Sequence, residues 1–451
     1  MTARTSTKIV LIGAGSTSFG VSTLADLFKQ AGRLRGSTIA LCDVNTEKLA
    51  HITRLAQRLN DVTHTPFVIE SARDYREVLA GAQFVLVSVE VDRLERWQLD
   101  WQIPLKHGIR HVLGENGGPG GLSHALRTSA LVLDIARAVE RAAPDAYLIN
   151  FTNPLSRVCL ALTRYTRLKV VGLCHQINKG YYIVGRVLGL TPPLEGHFPP
   201  APVANALKAQ FDLKTAGLNH FTWITDMREA GTGRDLYPEF CARLRDCDPG
   251  FEPLSRRLHD AFGLFPTSGD GHLGEYFGYA HETSDLAGYD FEGRAAHSAD
   301  LDARVARASQ NGQPLDEFLH WESGERTMDV VAAIANNLNG YEQTVNVLNN
   351  GALPGLPDWA VVEVPAIVGG GGVMPLRMPA LPPGITALLN QQVAIQDRVV
   401  EAAVHGDRRA ALQSLLLDPL ITNYTVAEEL LDELLAAHAP VLPAFAGKGD
   451  E

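Results

Sequence analysis

Short apolar runs alternate with amphipathic segments through the first half of the chain. Lys8-Ile9-Val10-Leu11-Ile12, Ser37-Thr38-Ile39-Ala40-Leu41-Cys42 and Phe84-Val85-Leu86-Val87-Ser88-Val89 read as buried strands. Ala146-Tyr147-Leu148-Ile149-Asn150 and Lys169-Val170-Val171-Gly172-Leu173 read the same way. Helical periodicity fills the intervals, notably over 46–60 and 123–142. This alternation predicts a parallel sheet flanked by helices. Ligands of such sheets lie outside the carboxyl ends of the strands, so the residues just after each run are the candidates for chemistry.

The pattern changes near residue 190. Pro192, Pro193, Pro199, Pro200 and Pro202 mark an irregular connection. Residues 210–218 and 221–227 then alternate like antiparallel strands. Helical patterns follow over 326–348, 385–404 and 426–438, and the stretch 354–383 reads as loop, rich in glycine and proline. The predicted architecture is α/β: a Rossmann-type doubly wound sheet over residues 1–190, then a mixed α+β domain over 191–451. The helical C-terminal part of that domain is expected to carry an oligomer interface.

Composition narrows the class. A chain of 451 residues suits two or three domains. No apolar run approaches the roughly 20 residues of a membrane span. The polar start Met1-Thr2-Ala3-Arg4-Thr5-Ser6-Thr7 passes straight into a strand and does not read as a secretory signal. Five cysteines, odd in number and without paired spacing, favour a reducing, cytoplasmic setting. A net charge of −11 argues against a nucleic-acid partner, which needs a basic face.

Gly13-Ala14-Gly15-Ser16-Thr17-Ser18-Phe19-Gly20 follows the first strand and opens a helix, as a dinucleotide loop does. A lone glycine pattern is weak, but Asp43 stands after the second strand, where a carboxylate accepts from a ribose hydroxyl. That favours NAD over NADP. Asn150-Phe151-Thr152-Asn153-Pro154 ends another run; Asn153 is either a helix cap or a crevice residue. Cys174-His175 ends the Val170 run and Asn219-His220 ends a later one. Cys174 with His220 makes one sulfur and one nitrogen ligand, leaving open metal positions as a catalytic site needs. Two glycine-rich segments complete the set. Gly114-Glu115-Asn116-Gly117-Gly118-Pro119-Gly120-Gly121 precedes a helix and reads as a substrate-closing or anion-binding loop, or a plain one. Gly269-Asp270-Gly271-His272-Leu273-Gly274-Glu275-Tyr276 can deliver a general base from side chains that need not pack.

These residues together resemble the NAD- and metal-dependent glycosidases of glycoside hydrolase family 4. The resemblance runs nearly end to end. It continues through Asn336-Asn337, Val361-Val362-Glu363-Val364-Pro365 and residues 400–408. Lactate and malate dehydrogenases share the fold of the first half but not this set. The resemblance implies hydrolysis by transient oxidation of sugar C3 with NAD⁺, metal-assisted removal of the C2 proton, elimination and water addition. Most glycosidases place two carboxylates across the bond; this family is an exception. The resemblance also implies NAD and Mn²⁺ or another divalent metal, Cys174 and His220 as metal ligands, and Gly13, Gly15, Ser16, Asp43 and Asn153 around the cofactor. His175 takes the place of the leaving-group acid. Asp270 is favoured as base, with His272 and Tyr276 as alternatives. Asn153, Glu115 and Asn219 are the expected substrate contacts. Histidine after the metal cysteine points to unphosphorylated α-hexosides or uronides, and a homodimer or homotetramer is expected. The competing readings are an NAD-dependent sugar or hydroxy-acid dehydrogenase and a cofactor-holding protein without turnover.

Overall fold

The five first-half runs form strands β1 (Lys8–Ile12), β2 (Thr38–Cys42), β4 (Phe84–Val87), β5 (Tyr147–Asn150) and β6 (Lys169–Gly172) in a computed structural model, and β3 (Val68–Ala72), which no run marks, joins them. It describes residues 6–16, 19–194, 198–283 and 289–446. Thr17 and Ser18 of the glycine loop, and Met1 to Thr5 of the polar start, lie outside the described residues. The strands pair in parallel in the order β3-β2-β1-β4-β5-β6. This is the order of dinucleotide-binding sheets. The near-continuous apolar character of β1, β2 and β4 follows from burial on both faces, while the edge strand β3 carries Glu70 and Ser71 and is partly exposed. Ile9 and Leu11 of β1 pack into one core with Leu24 and Leu27, while Val10 and Ile12 pack into another with Val132 and Val139.

The sheet does not stop there. β7 (Phe211–Leu218), β8 (Phe221–Glu229), β9 (Gly340–Leu348), β10 (Val361–Gly369) and β11 (Gly372–Pro375) extend it. The order beyond β6 is β9-β10-β7-β8, with β11 on β10, to give an 11-stranded sheet. The added strands run antiparallel, and β6 meets β9 at Gly172 and Asn346. The expected boundary near residue 190 falls between the Ile177–Val187 helix and β7.

Two expectations are corrected. The helix expected over 326–348 covers only Thr327–Asn336; Asn337 then turns left-handed at φ 51° and β9 follows. Thr344-Val345-Asn346-Val347 alternates polar and apolar with period two, which suits a strand better than a helix face. The stretch read as loop over 354–383 contains β10 and β11. Pro365 sits inside β10 at a register shift between Val364 and Ala366, where its missing N–H disturbs the ladder least.

The C-terminal helices Pro383–His405, Arg408–Leu417 and Tyr424–His438 pack back onto the first half. Ile395, Val399, Ala411 and Leu431 meet Leu122 and Leu126 of the Gly118–Ala142 helix. Among the described residues no helix is long and apolar enough to cross a membrane.

Candidate active site

The glycine turn after β1 is shaped by close approach. Gly13 has φ 90°, and a Cβ there would lie 2.0 Å from the Ser88 carbonyl oxygen. The Gly15 N–H donates to Asp43 Oδ2 at 2.8 Å, and the Asn45 N–H to Asp43 Oδ1 at 2.8 Å. Asp43 thus joins the turn to the end of β2 and holds its carboxylate beside the approach to the Phe19–Lys29 helix. Ala14, Gly15, Ser16, Lys48 and Asp302 line a cavity at this turn. Lys48 Nζ pairs with Asp302 at 2.8 Å across it.

The second cluster gathers where β6 ends and the β7–β8 hairpin turns. Asn219 and His220 are the turn, and His220 adopts φ 60°. Its Nε2 lies 3.3 Å from Cys174 Sγ. Two ligands of one tetrahedral or octahedral ion are separated by roughly 3.1–3.6 Å, so this pair is spaced to share a metal. Burial, with His272 and His175 nearby, holds the His220 pKa well below its usual value, which keeps the imidazole neutral as a ligand requires. Burial pushes the Cys174 thiol up, so it is a cation that would have to draw its proton off. Among the described residues no group of three or more His, Cys, Asp or Glu side chains is arranged to hold a metal.

A buried carboxylate anchors this turn. Glu363 of β10 accepts from Asn219 Nδ2 at 2.7 Å and Asn346 Nδ2 at 2.9 Å. Burial raises it to about 7, although both amides work in the other direction. Asn219, expected to touch substrate, therefore directs its NH₂ into the sheet. Its Oδ1 is buried without a partner, and so are Asn153 Oδ1, Gln176 Oε1, Asn178 Oδ1 and His220 Nδ1. Buried polar atoms are ordinarily satisfied. A concentration of unsatisfied ones on the segments around Cys174 and His220 fits a polar ligand.

Asn153 is not a helix cap. Pro154 takes that position, and Asn153 Nδ2 donates to Glu115 Oε1 at 3.3 Å. The same carboxylate oxygen accepts from Arg93 Nη2 at 2.8 Å. Glu90 stands just beyond β4, 3.3 Å from Arg93 and 3.0 Å from His124. Burial opposes its charge, but His124 and Arg93 hold Glu90 down to about 2.

The Gly114–Gly121 segment, a candidate seat for an external anion, holds one of the chain's own. Glu275 Oε2 accepts from the N–H groups of Glu115, Asn116 and Gly117 at 2.8, 2.6 and 3.0 Å. The segment containing Glu275 is also more ordered than an open loop. Gly269–Leu273 forms a short helix whose side chains do pack. Asp270 accepts from Leu254 N, Ser255 N and Ser255 Oγ at 2.7–2.8 Å, at the start of the Pro253–Phe262 helix. Burial and Glu252 raise its pKa. The His272 ring lies 4.1 Å from that of His220, and its Nδ1 is 3.1 Å from Glu275. Tyr276 stacks on Phe221 at 4.7 Å inside the apolar core, where burial pushes its phenol well up. Of the three candidates for a base, His272 is the one packed on the Cys174–His220 pair.

His175 Nδ1 lies 2.5 Å from Glu325 Oε1. Burial works against a charge on this ring; the carboxylate outweighs it and raises the pKa. Nothing in the sequence pattern singles out Glu325 or Arg93 as site residues, and Glu363 lies in the Val361–Pro365 stretch, which is part of the resemblance but gives it no role. Glu90 does carry a usable signal, since it directly follows the β4 run.

The chain matches the model of family 4 glycosyl hydrolases over residues 8–189 and that of the family's C-terminal domain over residues 215–421. An alpha-glucosidase of Erwinia rhapontici is 34% identical over 97% of this chain and 99% of its own length. An alpha-galactosidase of Bacillus subtilis is 28% identical over 97% and 99%. A 6-phospho-alpha-glucosidase from gut microorganisms, solved in complex with NAD and Mn²⁺, superposes with a TM-score of 0.81. It is 21% identical over 97% of this chain and 99% of that one, a likeness of fold.

Proposed function

From the premise that this chain belongs to the family 4 glycosyl hydrolases, and so acts on glycosides, we propose that it cleaves α-glycosides of unphosphorylated hexoses or uronic acids with NAD⁺ and Mn²⁺. The observation that carries this reading is the Cys174–His220 pair, 3.3 Å apart, with unsatisfied polar atoms around it. The likeness to an alpha-glucosidase and an alpha-galactosidase supports an unphosphorylated substrate. The neighbour crystallised with NAD and Mn²⁺ supports the cofactors.

The residues fit both groups. The Gly13–Ser16 turn lets a pyrophosphate approach the backbone closely at the cavity it borders, and Asp43, beyond β2, stands where a carboxylate meets the ribose. Cys174 and His220 would hold the metal. When bound, the two cofactors supply reversible oxidation at sugar C3 and Lewis-acid stabilisation of negative charge on the C2 and C3 oxygens. Asn153 Oδ1 is free to accept from a sugar hydroxyl, with Glu115 orienting the amide from behind. His175 protonates the departing glycosidic oxygen. The base that takes the C2 proton belongs to the Asp270–Tyr276 segment, whose His272 packs on His220. No second carboxylate at glycosidase spacing is required by such chemistry. Exposed Leu416, Leu417 and Tyr424 on the C-terminal helices support self-association into a dimer or tetramer.

The test is a panel of p-nitrophenyl α-glucoside, α-galactoside, α-glucuronide and α-galacturonide with NAD⁺, Mn²⁺ and a thiol reductant. Nitrophenol release without NADH accumulation is expected. Steady NADH production would instead make the protein a dehydrogenase. Cys174→Ser is expected to abolish turnover; full activity after chelation and Mn²⁺ readdition would remove Cys174 from the metal site. Deuterium from solvent is expected at C2 of the sugar, and Asp270→Asn, His272→Asn and Tyr276→Phe identify the base by which one stops that exchange.

A further inference from the structure

We propose that Glu325 is the positioning residue of His175, aiming its Nε2 at the glycosidic oxygen of substrates whose leaving group needs a proton. This rests on the reading of His175 as the leaving-group acid. The geometry is local and specific. Glu325 Oε1 meets His175 Nδ1 at 2.5 Å, and the Phe198 ring lies edge-on to the imidazole at 4.9 Å. A ring held at Nδ1 by a carboxylate and packed at one side has its orientation and tautomer set, and the remaining nitrogen is left to act.

The backbone that carries this carboxylate is itself held. The Glu325 N–H donates to Ser323 Oγ at 3.0 Å, and Ser323 Oγ donates to Asp26 Oδ2 at 2.9 Å. Asp26 belongs to the Phe19–Lys29 helix that follows the glycine turn. Gly324, between Ser323 and Glu325, lies against the start of the Ile177–Val187 helix. A Cβ there would come within 2.5 Å of Asn178 Nδ2 and 3.6 Å of His175 Cβ. The segment is thus pressed onto His175 from one side and tied to the dinucleotide helix from the other. The side chains are 40% exposed for His175 and 13% for Glu325, so the acid is reachable from outside while its support is largely covered.

The step balances without a further reagent. The electron pair of the bond between C1 and the glycosidic oxygen leaves with that oxygen, which takes the proton from Nε2. The C1–C2 double bond forms from the electrons released by loss of the C2 proton. His175 ends neutral, its Nδ1–H still donating to Glu325. A nitrophenolate leaves without this help and an alkoxide does not.

The test compares Glu325→Gln with wild type on two α-glycosides of the same sugar, one with a p-nitrophenyl and one with a methyl aglycone. The methyl glycoside is expected to lose kcat/KM by about 100-fold, roughly ten times more than the nitrophenyl glycoside. Equal losses on both would mean that Glu325 only supports the fold, and no loss on either would remove it from the reaction. Glu325→Asp is expected to recover part of the loss on the methyl glycoside alone. His175→Ala separates the two hypotheses. If it shows the leaving-group dependence and Glu325→Gln does not, Glu325 is excluded while His175 stands. If His175→Ala shows none, the acid assignment falls and the proposal with it.

Discussion

Two glycine-rich segments of this chain precede helices, and the structure treats them differently. The turn at Gly13–Ser16 leads towards the Phe19–Lys29 helix and borders a cavity lined by Gly15, Ser16 and Lys48. The loop at 114–117 leads into the Gly118–Ala142 helix with its amides already donating to the Glu275 carboxylate. Both set backbone N–H groups against a carboxylate of the chain, an arrangement favoured near the start of a helix. At the first, the Gly15 N–H donates to Asp43 and the Ser16 N–H to the Gly13 carbonyl, and a cavity lies alongside. The other uses its N–H groups to bind the Gly269–Tyr276 segment, with His272 in it, to the first half of the chain. A carboxylate of the chain therefore sits on amides of both segments, and the fold decides whether room for a ligand is left beside it.

The sharpest way to break this comparison is to alter each loop separately. Gly13→Ala forces a side chain into a left-handed turn and onto the Ser88 carbonyl. It is expected to weaken NAD⁺ binding by about 100-fold, equivalent to about 2.7 kcal/mol, as read by titration calorimetry. Retained affinity would show that the turn is not the cofactor site. Glu275→Gln keeps the shape and removes the charge. It is expected to cost about 2–4 kcal/mol in denaturant unfolding while changing NAD⁺ affinity less than about threefold. If it weakened NAD⁺ as much as Gly13→Ala and left stability alone, the two loops would not differ in kind.

A smaller effect sharpens the same point. ADP-ribose at about 100 times its Kd is expected to stabilise wild type and Glu275→Gln by about 2.7 kcal/mol. Gly13→Ala is expected to gain much less at that concentration, which a thermal-shift series would read.

The smallest effect is on the acid side. Glu90 is held at about 2 against an ordinary 4.5, so its pairing contributes stability that is full above 4.5 and is lost as pH falls towards 2. Burial opposes the charge of Glu275, but His272 and the Gly117 and Asn116 amides hold its pKa below the usual value, so it contributes with the same sign. Unfolding midpoints measured from about pH 5 to about pH 2.5 are expected to fall less steeply in Glu90→Gln and Glu275→Gln than in wild type. Parallel curves would mean that neither carboxylate is held in the folded state.

The first half was legible because its strands are short, apolar and separated by turn residues, and because chemistry in such sheets lies at strand ends. Cys174 and Asn153 follow directly from that rule, and Glu90 obeys it too. The β7–β8 hairpin was legible from alternation. β9 and β10 were not. In β9 the alternation comes soon after a true helix with no proline or glycine pair between them. In β10 the proline that argues against a strand is absorbed by a bulge. The base segment reads as a loose loop because glycines dominate it. Its order comes from Glu275 on the 114–117 amides and from Asp270 on the Pro253–Phe262 helix.

What the sequence determined by itself is local: the apolar runs that make β1, β2, β4, β5 and β6, the glycine turn whose φ only glycine tolerates well, and a cysteine and a histidine at the ends of their runs. What only the tertiary structure decided is which distant groups meet. Cys174 and His220 lie 46 positions apart, and they come within 3.3 Å although β9 and β10 stand between β6 and β7 in the sheet. His175 and Glu325 are 150 positions apart, and the 114–117 loop and Glu275 about as far. A buried carboxylate leaves no periodic trace in a sequence, because its partner is chosen by packing and by the cost of leaving its charge unpaired.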